Sequence, residues 1–193
     1  MGTINSPNLG LKRSARILLF GMGLRTQSKH KCFASAIVYA LDGDPHSYLE
    51  VADAIRQYGA SAEEDCAQLW RRVVFNILIS NSDDHLRNHG FLYWPGGWRL
   101  APAYDFNPVP LDIKPRVLTT AIDEVDGTAS LDLALETAAH YKLTPDQARA
   151  VAREVGTAVA RWRDTAKSVG LSSDEIDRMA SAFEHQDLKR AIE

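Results

Sequence analysis

The chain has few cysteines, little net charge and no long apolar run. Cys32 and Cys66 are its two cysteines and form no C-x-x-C pair. That argues against a disulfide framework or a zinc knuckle and makes a reducing cytoplasm the natural compartment. A net charge of -3 gives no global electrostatic footprint for nucleic acid or an anionic membrane, so direct binding to either is not expected. The apolar stretch Ile17 to Leu24 is eight residues long and lies between Lys12, Arg13 and Arg16 on one side and Arg25, Lys29 and Lys31 on the other. It is too short to span a bilayer, and its cationic flanks argue against an export leader; it reads as a buried strand or an irregular piece. Gly21-Met22-Gly23 opens like a phosphate-binding loop, but Thr26 stands where the third glycine belongs, which makes the signal weak. With 193 residues, 45% of them hydrophobic and 24% charged, the chain can fill one core and is short for two full domains.

From residue 45 the pattern is mainly helical. Pro45 and Ser47 precede a stripe of Leu49, Ala52 and Ile55, with Gly59 where a helix would end. Ser61 and Glu64 have the spacing of a capping box, ahead of a helix carrying Leu69, Val73, Ile77 and Ser80 on one side. Gly90 to Trp94 and Trp98 to Leu100 flank Pro95-Gly96-Gly97, the signature of a β-hairpin. Thr144 with Gln147 and Ser172 with Glu175 predict two further capped helices, and Leu131, Leu135, Ala138, Val151, Val155, Val159 and Trp162 supply apolar faces.

The chemistry concentrates between these elements. Asn81-Ser82-Asp83-Asp84-His85-Leu86-Arg87-Asn88 follows the second helix, and Ala101-Pro102-Ala103-Tyr104-Asp105-Phe106 follows the hairpin. Phosphoryl transfer needs a divalent cation held against phosphate oxygens and an oriented hydroxyl nucleophile. Mg²⁺ takes hard oxygen ligands, which Asp and Asn side chains supply. An Asp five positions before an Asn, with an Asp-Phe pair downstream, is the spacing of a kinase catalytic loop and its metal-binding Asp. Asp83 is then the acceptor of the substrate's hydroxyl proton, with Asn88 and Asp105 as Mg²⁺ ligands. Taken alone, Asp84 reads as a loop acid, Asn81 as a turn residue, and Tyr104, Phe106, Trp94 and Trp98 as packing groups.

These motifs resemble those of HipA-family serine/threonine kinases, whose catalytic loop reads N-[ST]-D-x-H-x-[KR]-N and whose metal motif ends in P-x-Y-D. Residues 76 to 108, and more loosely 45 to 185, are similar to that family's C-terminal lobe. The resemblance implies a mainly α, protein-kinase-like C-lobe, a helical bundle with a small β-hairpin. It also implies Asp83 as catalytic base, His85, Leu86, Arg87 and Asn88 along the ATP phosphates, and Tyr104 and Asp105 on the nucleotide and metal side. The implied cofactors are ATP and Mg²⁺. The implied activity is that of a toxin in a toxin–antitoxin pair, phosphorylating a protein serine or threonine, with translation factors as the best-known targets. A HipB-like antitoxin is the implied partner.

The N-terminal part departs from the family. No N-lobe with its phosphate loop and ATP-pairing lysine is recognisable, and Leu11-Lys12-Arg13-Ser14-Ala15-Arg16 carries Ser14-Ala15 where the family's hinge usually reads Phe-Asp. Residues 1–44 therefore read as a divergent segment, a remnant of the hinge region, and 45–193 as the C-lobe, with a separate N-lobe subunit as a further implied partner. Two other readings compete. One is a non-catalytic module that binds a HipB-like antitoxin. The other is a metal phosphohydrolase built on Asp83, Asp84, His85, His89 and Asp105.

Overall fold

Ser47 and Gly59 bracket the first helix as their spacing predicts. The computed structural model describes residues 17–21, 33–38 and 46–193. In it, α1 (Tyr48–Tyr58) has Ser47 at its N-cap and Gly59 at its C-cap. Gly59 is not left-handed; its φ is -77°. Glycine is needed there for space, because a Cβ would come within 2.4 Å of the Ile55 carbonyl oxygen.

The second helix, α2 (Ala62–Leu78), begins after Ser61, but the expected capping box does not form: the Ser61 side chain makes no cap bond. Glu64 instead reaches Arg99 at 2.8 Å, and buried Asp65 accepts from the Arg99 guanidinium and from the Leu100 amide. A strand docked on the helix start takes the acids that would otherwise have served the cap. Leu69, Trp70, Val73, Val74, Ile77 and Leu78 are fully buried, so α2 is the axis of the core.

The sheet is larger than a hairpin. β1 (Ile17–Gly21), β2 (Phe33–Val38), β3 (Gly90–Trp94) and β4 (Gly97–Leu100) pair antiparallel in that order. The hairpin itself lies where Pro95-Gly96-Gly97 predicts it, and the φ of 98° at Gly96 is what a type II turn asks of the residue after proline. Gly97 also lets β4 lie against the end of α1, since a Cβ there would meet the Tyr58 carbonyl oxygen at 2.6 Å. The run from Ile17 thus begins as a strand. Gly21-Met22-Gly23 beyond its first residue, Leu11 to Arg16, Cys32 and most of the segment 1–44 lie outside the described residues.

The rest is helical: α3 (Leu131–Thr137) running into a 3-10 turn at Ala138–Tyr141, then α4 (Pro145–Val159), α5 (Trp162–Ser168), α6 (Ser173–Phe183) and α7 (Gln186–Ile192). Both predicted capping boxes form, Thr144 with Gln147 on α4 and Ser172 with Glu175 on α6. The chain is mostly helical, with the small sheet beside α1 and α2. Among the described residues no helix is long and apolar enough to cross a membrane.

Candidate active site

The loop that carries the motif starts from a fixed foundation. A helix ends with carbonyls that have no partner within the helix. Here Arg116 donates to Ile77 O at 3.0 Å, and the His185 ring lies 3.2 Å from Leu78 O. Arg116 also donates to Ser80 Oγ at 3.1 Å and pairs with Asp187 at 2.7 Å, while the Ser80 hydroxyl donates to Ala182 O. Ser80 itself has a φ of 54°, which turns the chain sharply off α2. Asn81 is buried and donates from Nδ2 to Asn76 Oδ1 at 3.0 Å, so it holds the loop back against the helix.

The two neighbouring acids have opposite fates. Asp84 is 2% exposed, and its Oδ2 accepts from Tyr48 Oη and Asn76 Nδ2, each at 2.6 Å, with His89 Nε2 at 3.2 Å. Its main-chain oxygen accepts from the Thr120 amide and hydroxyl. Burial, and then the Asp84 charge, push the Tyr48 phenol well above its ordinary pKa, so it remains a donor. The Asp83 side chain is 64% exposed and lies 3.9 Å from Lys114 Nζ. Asp84 therefore ties the loop to the core while Asp83 projects into solvent.

Beyond them, Leu86–Asn88 forms a single 3-10 turn with Leu86 and Asn88 buried. This turn brings the second motif to the first: Asn88 Nδ2 donates to Asp105 Oδ2 at 3.1 Å across seventeen residues of sequence. Asn107 Nδ2 donates to the other oxygen, Asp105 Oδ1, at 2.8 Å. Alongside, the Tyr104 hydroxyl donates to Arg87 O at 2.9 Å; burial raises its pKa and the charge of Arg72 opposes that rise. Arg87 points to solvent, and His85 is half-buried with an Nδ1 that has no protein partner. The site residues named from the sequence thus form one contact set of Arg87, Asn88, Tyr104 and Asp105. Asp83 stands apart from it and faces Lys114.

Asp105 and Asn88 fit a hard cation. The Asp105 carboxylate is exposed, and each of its oxygens takes one side-chain N–H, which leaves lone pairs free. The Asn88 amide beside it adds a second oxygen-bearing group, and one or two protein groups with phosphate and water are what Mg²⁺ commonly takes. Among the described residues no group of three or more His, Cys, Asp or Glu side chains is placed to hold an ion. His89 turns inward onto Asp84, away from any hydrolase cluster with Asp83 and Asp105.

Several contributors carried no signal in the sequence. Tyr48 and Asn76 reach Asp84 from two helices and belong to no motif. Asn107 lies two residues from Asp105 and could have been read as its partner. Arg72, half-buried on α2, donates to Ala101 O at the start of the second motif, and burial lowers its pKa against the pull of Asp84.

Comparison with known proteins identifies the family. The model of the HipA-like C-terminal domain matches residues 22–181. Y4mE of Sinorhizobium fredii, a kinase by designation, is 23% identical over 151 residues, which is 75% of this chain and 36% of that protein. A Haemophilus influenzae protein, also a kinase by designation, is 36% identical over 61 residues, 31% of this chain and 18% of that protein. Among solved structures, Shewanella oneidensis HipA in its complex with HipB and operator DNA aligns with a TM-score of 0.53 at 20% identity, over 80% of this chain and 36% of that one. The chain thus spans about a third of the length of the relatives that it matches most broadly. With that match running from residue 22 to residue 181, the chain belongs to the HipA-like C-terminal domain family.

Proposed function

We propose that this chain is the catalytic lobe of an ATP- and Mg²⁺-dependent kinase that phosphorylates a serine or threonine of a protein. The observation that carries the reading is the 3.1 Å hydrogen bond from Asn88 to Asp105, which joins two motifs at the spacing of a kinase site. Bound Mg²⁺·ATP supplies the transferable phosphoryl group and neutralises its oxygens. Asp105 and Asn88 hold the cation. His85, Leu86 and Arg87 follow the phosphates, with the Arg87 guanidinium free in solvent to pair with them. Asp83 would accept the proton of the substrate hydroxyl as its oxygen bonds to the γ-phosphorus and the bond from that phosphorus to the β,γ-bridging oxygen breaks, with ADP leaving; the exposure of Asp83 gives a protein substrate access.

The match covers about a third of Y4mE and of the solved HipA, so nucleotide binding and transfer by this lobe draw on a further N-lobe segment or subunit. Calorimetry with Mg²⁺·ATP tests the reading. Binding should require Mg²⁺, be lost in Asp105→Ala and Asn88→Ala, and persist in Asp83→Ala, which should lose transfer alone. Equal affinity with and without Mg²⁺ would remove the metal role from Asp105 and Asn88.

A second reading rests on the same shortfall in length. The solved HipA is in complex with HipB, and this lobe could serve a HipB-like protein as a non-catalytic binding module. Stoichiometric capture of such a protein by a chain with no affinity for Mg²⁺·ATP would favour it.

A further inference from the structure

Next to the candidate site, with Phe106 as one of its walls, lies a cavity of about 430 Å³. Its walls come from five segments: Phe75 of α2, Phe106 of the loop after β4, Val159 of α4, Trp162 of α5, and Met179 and Phe183 of α6. No ionisable side chain lines it, and its size falls in the range of about 300–1,000 Å³ typical of small-molecule clefts. The helix that roofs it, α5, has no buried residue although it carries Trp162 and Ala166 on its cavity side. Salt bridges tie that helix to its neighbour, from Arg163 to Asp177 on α6 and to Glu184 just after it. The rings are ordered, with Trp162 stacked on Phe183 at 4.5 Å and 9°, and Phe75 edge-on to Phe106 at 4.9 Å and 77°.

We infer that this cavity is a binding site for an uncharged aromatic small molecule, and that occupancy is felt at Asp105 through Phe106. Walls drawn from five segments around a space of this volume suit a compact ligand. The absence of a counter-charge excludes anions and cations, because burying an unpaired charge is costly. Ordered aromatic walls favour a flat ring system, which can take offset or edge-on contacts with them. The coupling follows from sequence adjacency. Phe106 is bonded directly to Asp105, so a shift of the ring is passed through their shared peptide to the carboxylate that Asn88 and Asn107 hold. The binding step stands without the kinase reading; only the consequence for nucleotide rests on it.

The test uses the full 193-residue chain with indole as the probe. Calorimetry should show one saturable site with a Kd below about 1 mM, which a ligand of nine non-hydrogen atoms can reach, and naphthalene-2-sulfonate should bind at least tenfold more weakly. Ala166→Phe, at the half-buried edge of the cavity, should weaken indole at least tenfold while the circular dichroism stays helical; should that variant unfold, Met179→Trp fills the same space from α6. Indole should shift the side-chain amide NMR signals of Asn88 and Asn107, a readout that needs no nucleotide. No saturable binding, equal binding of the sulfonate, or full affinity in a folded filled variant overturns the site; unmoved amide signals overturn the coupling. Loss of Mg²⁺·ATP binding with the amide shifts intact would count against the kinase reading alone.

Discussion

Asp83 and Asp84 are adjacent in sequence, yet one is a surface acid and the other is the centre of a buried network. The sequence spacing picks out Asp83, Asn88 and Asp105, and the structure joins Asn88 to Asp105. It could not reveal Asp84 as a hub, because its donors Tyr48 and Asn76 lie in helices with no motif of their own. Asp84→Ala removes the carboxylate that Tyr48, Asn76 and His89 converge on and should cost about 3 kcal/mol of stability. Asp83→Ala should cost less than about 0.5 kcal/mol, as exposed substitutions do. Urea denaturation of the two variants, side by side, gives the comparison. Loss of stability in Asp83→Ala comparable with that in Asp84→Ala would contradict the arrangement described.

Among the elements, the junction where α2 ends should respond to pH through His185. Burial first, and the nearby Arg116 charge second, lower the His185 pKa to about 4, with Asp187 opposing. In the folded chain Nε2 lies against Leu78 O and Nδ1 accepts from the Leu188 amide, so the ring is held neutral. An unfolded histidine titrates near 6.5, so between pH 6.5 and 4 the unfolded chain binds the extra proton. Stability is fully present above pH 6.5 and falls as the pH drops toward 4, by about 2 kcal/mol from this residue. His185→Gln should flatten that slope in urea melts at pH 4.5 and 7. An identical slope in the variant would assign the pH dependence elsewhere. Helices α1, α2, α4 and α6 and the hairpin are readable from periodicity, caps and turn residues, whereas α5 and α7 carry no such signal. The missing Ser61–Glu64 cap is not readable either, since tertiary pairing with Arg99 overrides a local preference that only the sequence expresses.

At the scale of the molecule, long-range contacts that no local pattern encodes complete the fold. β1 and β2 extend the hairpin into a four-stranded sheet, and pairing partners so far apart in sequence carry no mark of one another. At the other end α7 closes against α4, where a Cβ on Gly156 would lie 2.8 Å from Ala191 Cβ. Gly156→Val should therefore push α7 away and cost about 2 kcal/mol. Because α7 is preceded by His185 and contains Asp187, the same change should loosen the joint beneath Asp83. Amide exchange at Ile79 to Ser82 should speed up. Unchanged exchange there would mean that α7 stabilises the bundle without steadying the loop.

Asp105 has a backbone φ of 61°, which narrows the alphabet available to it. Glycine, asparagine and aspartate adopt that conformation at the least cost; longer or branched side chains do so at a greater one. Of those three, one is anionic. Asp105→Asn should melt within a few degrees of the parent yet lose Mg²⁺-dependent nucleotide affinity, whereas Asp105→Glu keeps the charge and loses about 1 kcal/mol of stability. Two independent sieves, one steric and one electrical, leave a single letter that passes both.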